Sequence, residues 1–154
     1  MPSWGLHLDR ARARRPELRD GVDRLERRCL DLAAGLGPRP MGPIHRDFYP
    51  DQLLIAEDQV TVIDFDLYCE GDPALDIGNF VAHLSELALR ERGDVHALDA
   101  ARHECIEVFL ALSDPGHRQA VETYDVLSMA RLVGLSVQLP GRSHTTEALL
   151  AVLT

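Results

Sequence analysis

Two short β-prone runs, Gln52-Leu53-Leu54-Ile55 and Val60-Thr61-Val62-Ile63, stand out in a chain whose other apolar positions recur at helical spacing. Ala56-Glu57-Asp58-Gln59 lies between them, which predicts a small β-hairpin. A hairpin brings its outer ends together, so Gln52 and Asp64 are expected to be neighbours in space. The remainder reads as helix. The expected class is therefore α+β, mainly α-helical, with its one small β element where the polar motifs cluster.

Residues 1–15 are polar and Arg-rich, and read as irregular or loosely helical. From Pro16 to Leu36 the apolar positions Leu18, Val22, Leu25, Cys29, Leu32 and Leu36 recur at spacings of three and four, an amphipathic helix stopped by Gly37-Pro38. Pro38 to Pro43 reads as a connector. Gly71-Asp72-Pro73 marks a turn from which Pro73 opens a helix over 74–92, ended by Gly93. Asp94 is placed to cap a further helix to Leu112. Helices over 117–137 and 143–153 complete the pattern, separated near Pro140-Gly141.

At 154 residues the chain suits one domain and can bury a core without disulfides. Cys29, Cys69 and Cys105 are odd in number and widely spaced, fitting neither a disulfide framework nor a zinc site, so a reducing cytoplasm is the natural setting. No apolar stretch is long enough to span a bilayer, and no membrane partner is expected. All 16 basic residues are arginine, which excludes a P-loop lysine and a Schiff-base lysine together. Residues 1–39 carry nine Arg against six acids, whereas residues 40–154 carry seven Arg against 19 acids. The acidic part argues against nucleic acid as a partner. It suits a cationic substrate or a metal, or is simply a solvated surface.

Three acidic clusters fall within 33 residues: Ile44-His45-Arg46-Asp47-Phe48-Tyr49-Pro50-Asp51-Gln52, then Ile63-Asp64-Phe65-Asp66, then Gly71-Asp72-Pro73-Ala74-Leu75-Asp76. The hairpin joins the first two. Phosphoryl transfer asks a protein for magnesium on the nucleotide phosphates and for a carboxylate that orients the attacking hydroxyl and takes its proton. Magnesium takes hard oxygen ligands, commonly one or two from protein. Asp64 and the amide oxygen of Gln52 can supply these, and Asp47 is the free carboxylate for general base work. Arg46 can pair with Asp66, Asp72 or Asp76, or be solvated. Phe48 and Tyr49 read as packing, and His96 and His103 as surface residues.

These motifs resemble those of the aminoglycoside phosphotransferase and choline kinase-like family, relatives of the protein kinases. That family's catalytic loop runs His-x-Asp, four residues, then Asn; here it is His45-x-Asp47, four residues, then Gln52. Its metal-binding strand ends in a hydrophobic residue and Asp, as in Ile63-Asp64. A Gly-Asp-Pro-Ala segment with an Asp shortly after opens its next helix, as in Gly71 to Asp76. The resemblance is firm over residues 41–80 and looser over the flanking helices. It implies the C-terminal lobe of a protein-kinase-like fold, with ATP or another NTP as donor, Mg²⁺ as cofactor and a small-molecule hydroxyl as acceptor. By the same resemblance Asp47 is the catalytic base and Asp64 the main magnesium ligand. Gln52 stands at the family's Asn for the second metal position, one methylene longer. His45 is implied to hold the loop, Asp76 to accept N–H groups from it, and Asp66 either to join the metal site or to face water.

Relatives of this kind grip the nucleotide with a second, β-rich lobe carrying a lysine. These residues contain no lysine and no candidate sheet before residue 41. The expectation is a single partial domain, the catalytic lobe alone, either a fragment or truncated product or one whose missing N-terminal lobe is supplied by a partner such as a second copy. An alternative is an inactive remnant serving as a binding module. A metal-dependent phosphoesterase using His45, Asp47, Asp64 and Asp66 ranks last, since one His is few for a two-metal site. By analogy with the family, the acidic helices after residue 80 suit an amine-bearing sugar or alcohol.

Overall fold

The computed structural model describes residues 3–154 and is mainly helical, with two small antiparallel sheets. The helices are α1 (Ser3–Arg14), α2 (Arg19–Ala34), α3 (Ala74–Arg92), α4 (Asp99–Leu112), α5 (Arg118–Ser136) and α6 (Thr146–Leu153). The strands are β1 (Gly42–Ile44), β2 (Leu53–Ala56), β3 (Gln59–Val62) and β4 (Cys69–Gly71).

α5 is the spine, with α3 and α1 packed along it and α2 and α6 closing the core. Leu8, Val22, Leu25, Leu132, Val133 and Leu149 are fully or almost fully buried there. Two glycines permit the close approach. A Cβ on Gly134 would run into the carbonyl of His7 on α1, and one on Gly78 of α3 would lie 2.5 Å from Cβ of Tyr124 on α5. No helix among the described residues is long and apolar enough to cross a membrane.

Residues 3–14 differ from expectation. They form a regular helix whose Trp4, Leu8 and Ala11 make a narrow apolar stripe against α5, while arginines cover the other faces. Arg12 pairs with Asp9, Asp23 and Glu26, tying α1 to α2. A stripe only one residue wide per turn is easily lost beside Arg10, Arg12 and Arg14, and packing on a neighbouring helix supplies the stability it lacks alone. The second helix is preceded by a short 3₁₀ turn at Pro16–Leu18. α4 starts four residues later than expected, with Leu98 in place of Asp94 at its cap, because Asp94 closes a turn instead: its Oδ1 accepts the His96 N–H at 2.9 Å.

The hairpin is present, shifted by one residue, with Leu53 opposite Val62 and Ala56 opposite Gln59. The second sheet was not expected. β1, inside the supposed connector, pairs with β4, Ile44 facing Cys69 and Gly42 facing Gly71. This second pairing closes a loop from residue 44 to residue 69 that carries two of the acidic motifs.

Candidate active site

His45 begins the loop that follows β1. Its ring is buried, and Nε2 lies 2.7 Å from the carbonyl of Ile63 at the end of the hairpin. Phe65 packs on the same ring, with centroids 4.9 Å apart. His45 therefore ties the first motif to the second. Asp76, in the first turn of α3, ties the first to the third: Oδ2 accepts the His45 N–H at 2.6 Å and Oδ1 the Arg46 N–H at 2.8 Å. Burial pushes the Asp76 carboxyl above its ordinary value, while these two N–H groups pull it down. Asn79, one turn further on, donates to the carbonyl of Phe48 at 2.9 Å, and Phe48 stacks on Phe80.

The loop so held is strained where it matters. Arg46 has φ 73° and Asp64 φ 62°, two of the three non-glycine residues with positive φ among the described ones. Left-handed backbone costs an L-residue about 1–2 kcal/mol, and its persistence requires anchors such as Asp76. The side chain of Arg46 forms no ion pair among the described residues. Two of its candidate partners are engaged elsewhere, Asp72 with Arg39 at 2.7 Å and with the Ala74 N–H, and Asp76 with the backbone, while the third, Asp66, is exposed and does not meet it.

Gln52 is buried at the end of a 3₁₀ turn, Pro50–Gln52, rather than inside the strand. Its carbonyl accepts the Ile63 N–H at 3.0 Å, one step beyond the hairpin ladder, and its amide nitrogen lies 3.3 Å from Oδ2 of Asp64. Turning the amide over exchanges its nitrogen for its oxygen. Two oxygens would then stand at close to the ~3 Å separation of neighbouring ligands around a magnesium ion bound at ~2.1 Å. The pair fits a magnesium ion that keeps water and phosphate on its other positions. Among the described residues no three His, Cys, Asp or Glu side chains gather as a metal cluster. Asp66 is exposed in the turn Phe65–Leu67 and bonds to nothing among the described residues.

Asp47 follows Arg46 in the loop. Arg131, from α5, donates to its Oδ1 at 3.2 Å, and Oδ2 has no partner among the described residues. Tyr49 stacks on His83, centroids 4.6 Å apart. Its phenol is pushed up by burial first and then by the charges of Asp47, Asp51 and Asp64.

The chain matches the model of the phosphotransferase enzyme family, APH, over residues 2–108. It belongs to that family. The match takes in α1 and α2 as well as all three motifs, so both N-terminal helices are part of the phosphotransferase homology. No curated protein and no solved structure matches the chain.

Sequence reasoning missed Asn79, Arg131, His83 and Glu86. Asn79 lies three residues after Asp76, on the same face of α3, which is a usable signal. Arg131 and Glu86 are single charges in apolar helical runs, Met129 to Val133 and Leu84 to Leu89, where a solvated charge is out of place.

Proposed function

We propose that this chain is the catalytic and metal-binding lobe of an ATP-dependent phosphotransferase acting on a hydroxyl of a small molecule. The observation that carries the reading is the joining of the three motifs by His45 and Asp76, with Asp47 left open at one oxygen. Arg131 holds Oδ1 of Asp47, so Oδ2 is free to accept the acceptor's hydroxyl hydrogen. As the acceptor's hydroxyl oxygen bonds to the γ-phosphorus, the hydroxyl proton passes to Oδ2 of Asp47, and the bond from phosphorus to the leaving ADP oxygen breaks. Magnesium at Gln52 and Asp64 would offset the charge on the phosphate oxygens. Family membership supports the reaction class. The amine-bearing acceptor rests on overall charge, and the cavity beside Asp47 bears on it more directly, as argued below.

Residues 3–34 form two helices rather than a nucleotide-gripping sheet, and no lysine is present. We therefore expect these 154 residues on their own to bind ATP weakly, and a nucleotide lobe, separate or from a second copy, to complete the grip. Asp47→Ala should lower ADP release by about 10²- to 10⁴-fold, with the lobe of a related full-length enzyme supplied, and leave the fold intact. Unchanged turnover would refute the assignment of Asp47. A second reading, a non-catalytic binding module, is favoured by one feature. Leu54, Ile55 (73% exposed), Val60, Phe65 and Tyr68 present apolar surface around the hairpin. The readings separate on that same assay, because a module transfers no phosphate even with the lobe supplied.

A further inference from the structure

A cavity of about 170 Å³ lies behind Asp47, between the loop after His45, α3, the end of α5 and the segment before α6. That is room for a small polar molecule. Leu87, Leu135 and Leu139 contribute apolar wall. The charges on the wall are three arginines, Arg90, Arg131 and Arg142, and three acids, Asp47, Asp51 and Glu86.

Their pairing is uneven. Glu86 is 3% exposed, and its Oε1 has no hydrogen-bond partner. It lies 3.4 Å from Nε of Arg90 and 3.6 Å from Nη1 of Arg142, so one buried carboxylate faces two guanidinium groups. Arg90 has a second acid, Glu91, at 2.6 Å. Arg142 has only the loose contact to Glu86, and Arg131 only the 3.2 Å bond to Asp47. Each guanidinium has five N–H donors, so most of those on Arg131 and Arg142 are unused among the described residues. His83 lies on the same wall, its Nε2 buried without a partner. Burial, then Arg131 and Arg142, lower its pKa to about 4, which keeps the ring neutral and reports a positive field on that side. An ammonium group would need an open carboxylate. Glu86 is already behind two arginines, Asp47 is committed to the hydroxyl, and Asp51 is exposed.

We propose that this cavity is the acceptor site and that it selects a small hydroxyl compound bearing a carboxylate or phosphate group, held by Arg131 and Arg142. Planar guanidinium groups match both anions by paired hydrogen bonds. Glu86, buried behind the wall, faces Arg142 at 3.6 Å and leaves its remaining donors open. The assignment of the reacting hydroxyl rests on the phosphotransferase reading; the preference for an anion rests on the cavity wall alone.

Calorimetric titration of the full chain with glycerate, glycerol 3-phosphate, glycerol and ethanolamine tests this. At least one of the two anions should bind, and which one does distinguishes carboxylate from phosphate, whereas glycerol and ethanolamine should not. Arg142→Gln should weaken the bound anion by about tenfold or more, with thermal unfolding showing that the variant is folded. Asp47→Asn should keep anion binding, because it removes the acid that occupies Arg131. Binding of neither anion overturns the proposal, as does ethanolamine binding more tightly than both. Displacement of the anion by ATP would assign the arginines to the nucleotide and equally overturn it. Anion binding that depends on Arg142, with no phosphate transfer when the nucleotide lobe of a related full-length enzyme is supplied, would uphold the cavity and refute the phosphotransferase reading. Transfer to glycerol or ethanolamine with no anion bound would do the reverse.

Discussion

Replacing Asp76 by alanine removes both oxygens that anchor the catalytic loop, and the cost can be worked from the contacts. The bond to the His45 N–H, at 2.6 Å, belongs to a buried residue, and a hydrogen bond to a charged acceptor contributes about 1.5–3 kcal/mol. The bond to the Arg46 N–H, at 2.8 Å, lies on the exposed side, where water can take its place, so it contributes less than about 1 kcal/mol. Loss of a half-buried carboxylate returns part of this, since burial already disfavours its charge. The expected net loss is roughly 2–3 kcal/mol, read by urea unfolding at neutral pH. Asp76→Asn keeps one acceptor for His45 and should cost about half as much. Activity should fall further than stability, because Arg46 at φ 73° then relaxes and carries Asp47 with it. A displacement of ~1 Å at a reacting group costs about 10²-fold. An Asp76→Ala protein within about 0.5 kcal/mol of wild type, below the ordinary cost of one such bond, would refute the bracing argument.

Asp64→Asn should weaken Mg²⁺ binding more than Gln52→Asn, because the first removes a charge and the second keeps the ligand atom; titration giving the opposite order would refute the pair as ligands. Gly78→Ala should destabilise by about 1–3 kcal/mol, since its Cβ would lie 2.5 Å from Cβ of Tyr124 and α3 must move off α5. An unchanged thermal midpoint would mean the helices are not in that contact. His83 should make stability fall with acid. Its pKa is lowered to about 4 in the fold, so between the unfolded value of 6.5 and about 4 the unfolded chain binds the proton and the folded chain does not. Over that window wild type should lose roughly 3 kcal/mol relative to His83→Gln, and parallel pH profiles of the two would contradict the buried neutral ring.

Much of the site was legible in the order of residues because its determinants are local. The hairpin is a short-range element, so the approach of Gln52 to Asp64 follows from β-prone runs and the four residues between them. Asp76 is given its role by the resemblance of the motifs to those of the family, and lies 30 residues from the N–H group of Arg46 that it holds. Helix ends marked by Pro16, Pro73 and Gly93 were readable because proline and glycine restrict or free the backbone wherever they stand.

The rest depends on which distant surfaces meet. Strands of three residues, Gly42–Ile44 and Cys69–Gly71, are too short to show a period, and only their pairing makes them strands. Residues 3–14 are helical because Trp4, Leu8 and Ala11 find α5, a contact more than a hundred residues away along the chain. Arg131 reaches Asp47 across 84 residues, and Arg142 reaches Glu86 from a loop before the last helix. A charge in a sequence has a sign but no partner. The partner is chosen by the packing of α3 and α5, which is why net acidity led to an amine while the cavity wall, with its arginines loosely held, favours an anion.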